Sequence, residues 1–224
     1  IRNEIIQLRR LWTDILTQSE QIKAPSHVHN DMNEIQRAVR DLFTEDITEL
    51  ITNDQTMKEW VEHYLHEVDG DLLSRVKWSD HPDLFHFYGI AREIRRVSLP
   101  RIELQQGGHL ILDYTEALTV IDVNTGKYTG EDDLEKTMFH TNMDAAIEIG
   151  RLIRLLDIGG IIIIDFIDMN EDAHREQVVT LLSNILEQDR TKSVIMGWTN
   201  LGLLEMTRQK KREHIFPVKM MEPK

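Results

Sequence analysis

Two stretches of this 224-residue chain place carboxylates where an apolar strand ends. In Val120-Ile121-Asp122-Val123-Asn124, the period of two sends Asp122 and Asn124 to one face and Ile121 and Val123 to the other. In Ile164-Asp165-Phe166-Ile167-Asp168, an isoleucine run delivers Asp165 at its end and Asp168 three residues later. Ligands of layered α/β proteins collect beyond strand ends. Acids placed there are costly to desolvate unless something positive lies between them. Oxygen donors, no cysteine anywhere, and no histidine beside either motif point to Mg²⁺ or Mn²⁺ rather than zinc. Other roles compete: Asp168 or Asn170 as a cap for the following helix, Asp122 in a buried ion pair with an arginine, Asp165 as a supporting partner or cap. Asn142, within the apolar stripe of a long helix, is either a satisfied core amide or aimed at the site. His27 and His29 fall in a loop, and His63 and His66 share the face of an acidic helix, so neither makes a metal pair. Glycine-rich phosphate loops, serine nucleophile elbows and zinc protease motifs are absent from the sequence.

Apolar periodicity defines the elements that carry these residues. Ile1–Ile22 reads as a helix with Ile1, Ile5, Leu8, Trp12, Ile15 and Leu16 at helical spacing, broken at Lys23-Ala24-Pro25-Ser26. Asp31–Phe43, Met57–Leu65 and Leu84–Val97 are helical, Ile47–Thr52 is extended, and turns fall at Asp69-Gly70 and Asp80-His81-Pro82. The texture changes near Val97–Pro100, where a subdomain boundary is expected. Strands follow at Arg101–Leu104, His109–Asp113 and Ala117–Asn124, the first two joined by Gln106-Gly107-Gly108. Thr129–Ile158 is the longest helix, opened by Thr129 and Asp132 in the manner of a capping box and stopped by Gly159-Gly160. Ile161–Ile164 reads as a central strand covered on both faces. Ala173–Gln188 is a helix and Ser193–Met196 a strand, giving a β-β-β-α-β-α-β order and an α/β layered unit.

The chain carries 26 basic and 39 acidic side chains, a net charge of −13 that argues against a general nucleic-acid binder. That charge is uneven: Asp41–Asp83 holds twelve acids and three bases. Bases gather instead at Arg92/Arg95/Arg96, Arg151/Arg154, Arg190/Lys192 and Arg208/Lys210/Lys211/Arg212, each of which reads first as a solvated face. A composition of 41% hydrophobic and 29% charged residues describes a globular chain. Ile161–Ile164 is the longest clear apolar run, far short of the ~18 residues of a membrane span. The absence of cysteine fits a reducing compartment. The helix at the first residue and the short tail after Phe216-Pro217 suggest the interior of a longer protein.

Glu116-Ala117-Leu118-Thr119-Val120-Ile121-Asp122-Val123-Asn124-Thr125-Gly126 resembles the catalytic signature of the ribonuclease E/G family. Thr141-Asn142-Met143-Asp144-Ala145-Ala146, Arg151–Leu155 and Gly159–Met169 match the family in order and spacing, as do Gln188-Asp189-Arg190 and Gly202–Arg208. The likeness is nearer the G branch than the E branch, and it continues more weakly through Asp41–Asp46 and Leu84-Phe85. The resemblance implies an endoribonuclease that cuts single-stranded, often AU-rich RNA, favours a 5′-monophosphate end, and leaves 5′-phosphate and 3′-hydroxyl products. It implies a DNase I-like catalytic subdomain (residues 99–224) packed on an RNase H-like subdomain (34–98), with residues 1–33 a helical remnant of a 5′-sensor region. On that resemblance Asp122 and Asp168 hold Mg²⁺, Asn124 orients the phosphate or water, and Asp165 supports the site. Lys127 and Arg208 are the candidates for contacting the RNA backbone, and the resemblance implies a cytoplasmic location.

The family carries an S1 barrel and a 5′-phosphate sensor ahead of the matched region. After it comes a cysteine-bearing zinc link that joins protomers; none of these has a counterpart in the sequence. The expectation is a folded piece, weakly active alone, with homo-oligomerisation in doubt. The alternative is a non-catalytic RNA-binding or assembly module retaining the fold. A small-nucleotide phosphohydrolase is disfavoured by the missing nucleotide loop.

Overall fold

The structure is a computed structural model and describes residues 2–26, 28, 34–126 and 134–210. The chain divides into two compact units, Ile1–Gly89 and Ile90–Lys224.

In the first unit, α1 (Arg2–Gln21) and α2 (Glu34–Leu42) precede β1 (Leu50–Thr52), α3 (Gln55–Val68), a 3₁₀ turn (Gly70–Arg75), β2 (Val76–Trp78) and α4 (Leu84–Phe87). Asp54 caps α3 by accepting from the Met57 amide at 3.0 Å. Its core is Val39, Phe43, Val61, Leu65, Leu72 and Val76, beneath the short parallel pair β1–β2. The expected stripe of α1 forms, but Ile5, Leu8, Trp12 and Leu16 are exposed.

The second unit opens with α5 (Ile90–Val97) and then alternates β3 (Arg101–Glu103), β4 (His109–Tyr114), β5 (Leu118–Asn124), α6 (Leu134–Leu155), β6 (Gly160–Asp165), α7 (Asp172–Leu186), β7 (Ser193–Trp198) and β8 (Leu204–Arg208). The expected Leu84–Val97 helix is thus two helices, broken at Gly89, whose φ of 72° no continuing helix permits. The sheet order is β3-β4-β5-β6-β8-β7. β5 and β6 are parallel and joined by α6, and their other neighbours are antiparallel, giving a mixed α/β layer. β8 has no counterpart in the sequence reading, and it inserts between β6 and β7.

Leu110, Leu112, Ile121, Val123, Ile162, Ile164, Leu204 and Met206 line one sheet face and pack against Ala145, Ile149, Leu152 and Ile153 of α6 and Val178 and Leu182 of α7. Removal of this apolar surface from water is the main force holding the layer together. The opposite face differs from expectation. Ile161 and Val194 are exposed and Ile163 only half-buried, so the isoleucine strand is covered on one side. The run of isoleucines reflects β-branched fit to a pleated surface, not two-sided burial.

α6 also ends differently from expectation. Asp157, at φ 49°, makes the left-handed reversal. The Ile158 amide returns to the Ile153 carbonyl at 2.9 Å and that of Asp157 to Arg154 at 3.3 Å, a Schellman stop. The glycines come after the helix has closed. The Thr129–Asp132 capping pair lies outside the described residues. Among the described residues no helix is long and apolar enough to cross a membrane.

Candidate active site

The parallel pairing of β5 with β6 decides where the acids meet. Asp122 and Asp165 are register partners at the carboxyl ends of the two strands. Register partners project to the same side of a sheet, so the two carboxylates stand together. Asp122 alternates with buried Ile121 and Val123, as the sequence spacing requires, and thus rises from the less covered face. Asn124 follows on that face and donates from Nδ2 to Asp122 Oδ2 at 2.7 Å.

Asp168 follows on the loop after β6. Phe166 and Met169 are buried in the core, which turns the residues between and before them outward, and Asp165 and Asp168 are both exposed. Partial desolvation, together with the negative charges of Asp122 and Asp168, raises the Asp165 carboxyl above its ordinary range. Asp165 therefore feels the charge of both other acids. Among the described residues no lysine or arginine pairs with any of the three.

The helix after this loop is not capped as one alternative had it. Glu171 occupies the N-cap of α7 without a side-chain bond. Asn170 bonds Glu135 instead, and Asp168 is left free of capping duty.

Asn142 is fully buried and turns out to serve the loop. Its Nδ2 donates to the Ile167 carbonyl at 2.8 Å, and its Oδ1 accepts from the Ile167 amide at 3.0 Å. Seven residues earlier on α6, Glu135 accepts from the Asn170 amide at 3.2 Å and from Asn170 Nδ2 at 2.9 Å. His174 Nδ1 donates to Glu135 Oε1 at 2.9 Å, and Phe139 stacks on the His174 ring at 4.2 Å. The His174 bond, then that from the Asn170 amide, lowers the Glu135 carboxyl below its usual range.

Sequence reasoning passed over Glu135, His174 and His109. His109 is the register partner of Asn124 on antiparallel β4, so a histidine does stand beside the first motif. Its Nδ1 is buried without a hydrogen-bond partner. The signal was present in the alternation of His109-Leu110-Ile111, but the pairing that places it opposite Asn124 is not local.

The two proposed RNA-contact residues fare differently. Lys127 lies outside the described residues. Arg208 lies at the end of the sheet away from the acids, paired in register with Gly160, where Asp165 closes the other end of β6. With its side chain 3% exposed, it donates from Nε to Asp189 at 2.8 Å and from Nη1 to Asp157 at 2.8 Å and the Ile158 carbonyl at 2.9 Å. Those bonds use the guanidinium to tie the α6 stop to the loop before β7, a structural role in place of the expected surface contact. Arg96 and Arg151 are likewise engaged, by Glu93 and Glu148 across α5 and α6.

The donor set is one of carboxylate oxygens, suited to a hard divalent cation. Among the described residues no three His, Asp or Glu side chains close around a common point.

A sequence model of the family described as Ribonuclease E/G matches residues 1–211. The chain is 35% identical over 216 residues to a protein named ribonuclease G from Salmonella typhimurium (strain SL1344), covering 96% of this chain and 44% of that protein. It is 33% identical to ribonuclease G of Escherichia coli (strain K12) over the same shares. It is also 33% identical to ribonuclease E of Nostoc sp. (strain PCC 7120), covering 93% of this chain and 31% of the relative. The chain thus spans less than half the length of these relatives.

Proposed function

The chain belongs to the ribonuclease E/G family, and on that footing we propose that it carries the hydrolytic centre of a Mg²⁺-dependent endoribonuclease acting on single-stranded RNA. The observation that carries the reading is the in-register pair Asp122 and Asp165 at the ends of parallel strands, with the charge of Asp168 acting on Asp165. Asp122 and Asp168 would hold the ion, with Mn²⁺ an acceptable substitute, and Asp165 would supply outer support. When bound, Mg²⁺ supplies charge neutralisation at the phosphodiester and a more acidic water. Asn124, its amide steadied on Asp122, retains a second N–H and its oxygen for the phosphate or the attacking water. Water oxygen bonds to phosphorus as the P–O3′ bond breaks. The proton lost by water balances that gained at O3′, giving 5′-phosphate and 3′-hydroxyl ends.

The finer fold assignment belongs to the same proposal: a DNase I-like catalytic part over 99–224, an RNase H-like part over 34–98, and 1–33 as sensor remnant. So do cytoplasmic location and slow turnover by this chain alone. The test is cleavage of a 5′-monophosphorylated single-stranded RNA in Mg²⁺ by the chain and by Asp122→Asn and Asp168→Asn. Loss of cleavage in both, with unfolding curves unchanged, is the expected result. Cleavage retained in either variant sinks the assignment. RNA binding without cleavage by the parent chain would favour a non-catalytic module.

A further inference from the structure

Asp168 stands on an irregular segment. Between the end of β6 at Asp165 and the start of α7 at Asp172, the backbone belongs to no helix or strand. A carboxylate on such a segment is only as well placed as the atoms that grip the chain on either side of it. Both flanks are gripped, and by one helix. Immediately before Asp168, Asn142 bonds both polar atoms of the Ile167 backbone, doing with one amide what a neighbouring strand would do. Two residues after Asp168, Glu135 takes the amide and side chain of Asn170. Glu135 and Asn142 are two helical turns apart, about 10 Å along α6, so the loop lies along a rigid rail with Asp168 between its two fastenings.

The fastening at Glu135 is itself supported. His174, from the first turn of α7, donates to it, and Phe139, one turn along α6, stacks on His174. The buried Asn142 is satisfied on both amide atoms, which is what makes a fully enclosed polar side chain tolerable. Phe166 and Met169 anchor the same loop in the core.

We infer that Glu135 and Asn142 are positioning residues that set the Asp168 carboxylate by holding the chain on both sides of it. The inference rests on the reading of Asp168 as a metal-holding acid. Partners of this kind typically carry about 10–100-fold in metal affinity or activity.

The experiment uses the full chain, with Mn²⁺ as probe read by electron paramagnetic resonance, cleavage kinetics on a 5′-monophosphorylated RNA, and thermal unfolding. Glu135→Ala is expected to weaken Mn²⁺ binding and lower kcat by about tenfold. Its KM stays within about twofold and its unfolding midpoint within a few degrees. Glu135→Gln keeps an oxygen for the Asn170 amide and is expected to restore most of both losses. Asn142→Asp, which keeps the acceptor and loses the donor, is expected to act in the same direction. Because Asn142 is buried and that variant risks unfolding, the Glu135 pair decides the matter. Parent-like Mn²⁺ binding and kcat in Glu135→Ala, or a loss that Gln does not rescue, overturns the inference. Asp122→Asn separates the levels. Mn²⁺ lost there but kept in Glu135→Ala overturns the positioning role alone, whereas Mn²⁺ kept in both overturns the functional reading and this inference with it.

Discussion

Asp122 and Asp165 face each other across the parallel β5–β6 pairing, and the second of the two is held above the ordinary carboxyl range by partial desolvation and by the charge of the first. Ionised Asp165 is therefore less comfortable folded than unfolded. The sign follows: its raised folded pKa lowers stability at neutral pH, and the penalty disappears as pH falls through the raised value toward ~3.9. Asp165→Asn is expected to raise stability without metal by less than about 1 kcal/mol, since the side chain is solvent-exposed. Mg²⁺ at tenfold its Kd should stabilise the parent by about 1.4 kcal/mol, and EDTA should reverse this. Thermal unfolding with and without Mg²⁺ checks both, and a destabilised metal-free Asp165→Asn would contradict the crowding.

A second charge effect lies at the junction of α5 and α6. Hydrogen bonding to Arg96, then, against partial desolvation, bonding and attraction from Arg151, hold Glu93 down to about 2. A lowered acid contributes stability above its unfolded pKa, and that contribution is lost as pH falls from ~4.5 toward 2. With a third of the side chain in solvent, it is worth roughly 1 kcal/mol after screening. Glu93→Gln should flatten the acid limb of a pH–stability curve between pH 5 and 2. An unchanged limb would show that Glu148, also lowered although burial opposes it, carries the effect alone.

Arg208 offers a test of buried charge. Its side chain is 3% exposed and that of Asp189 7%, so removing one leaves the other stranded. Arg208→Met is expected to cost about 3–5 kcal/mol in urea unfolding. Arg208→Met combined with Asp189→Leu should recover much of that. Mn²⁺ affinity should stay at the parent value in the double variant, because the cluster sits at the other end of β6. A double variant no more stable than the single would put the cost on Asp157 and the Ile158 carbonyl, which lose the same guanidinium.

Gly108 closes the hairpin between β3 and β4 at φ 88°, where an added Cβ would lie 2.5 Å from the Asn124 carbonyl. Gly107 has φ 101° but open space. Gly108→Ala should destabilise the chain by about 1–3 kcal/mol and depress cleavage by displacing Asn124. Gly107→Ala meets only the backbone strain, and its cleavage should match the parent. Equal cleavage in the two variants would mean that the contact with Asn124 yields without consequence.

The pattern of legibility follows sequence distance. That Asp122 and Asn124 share a face needed only the period of two, and that Asp165 ends a strand needed only the isoleucines before it. That Asp122 meets Asp165, or that His109 meets Asn124, depends on registers between distant strands. Asn142 read equally well as core amide or site residue because its partner, the Ile167 backbone, has no side-chain signature. Gly159-Gly160 reads as the helix stop because glycine is the usual left-handed residue. Asp157 takes the position instead, with Arg208 on its carboxylate. The place of β8 is not legible because Leu204–Arg208 is a short antiparallel insertion whose position between β6 and β7 no local pattern encodes.

The one-sided sheet has a consequence for supply. The acids rise from the side that α6 and α7 leave uncovered, while Ile161 and Val194 continue the same bare surface. An enzyme that transfers a group to anything other than water gains from keeping water out of its site. A hydrolase has the opposite requirement, because solvent is its second reactant. On the proposed reading, carboxylates on a face that no described helix covers meet that reactant directly from bulk, and a polymer strand would be able to lie across them without an end being threaded.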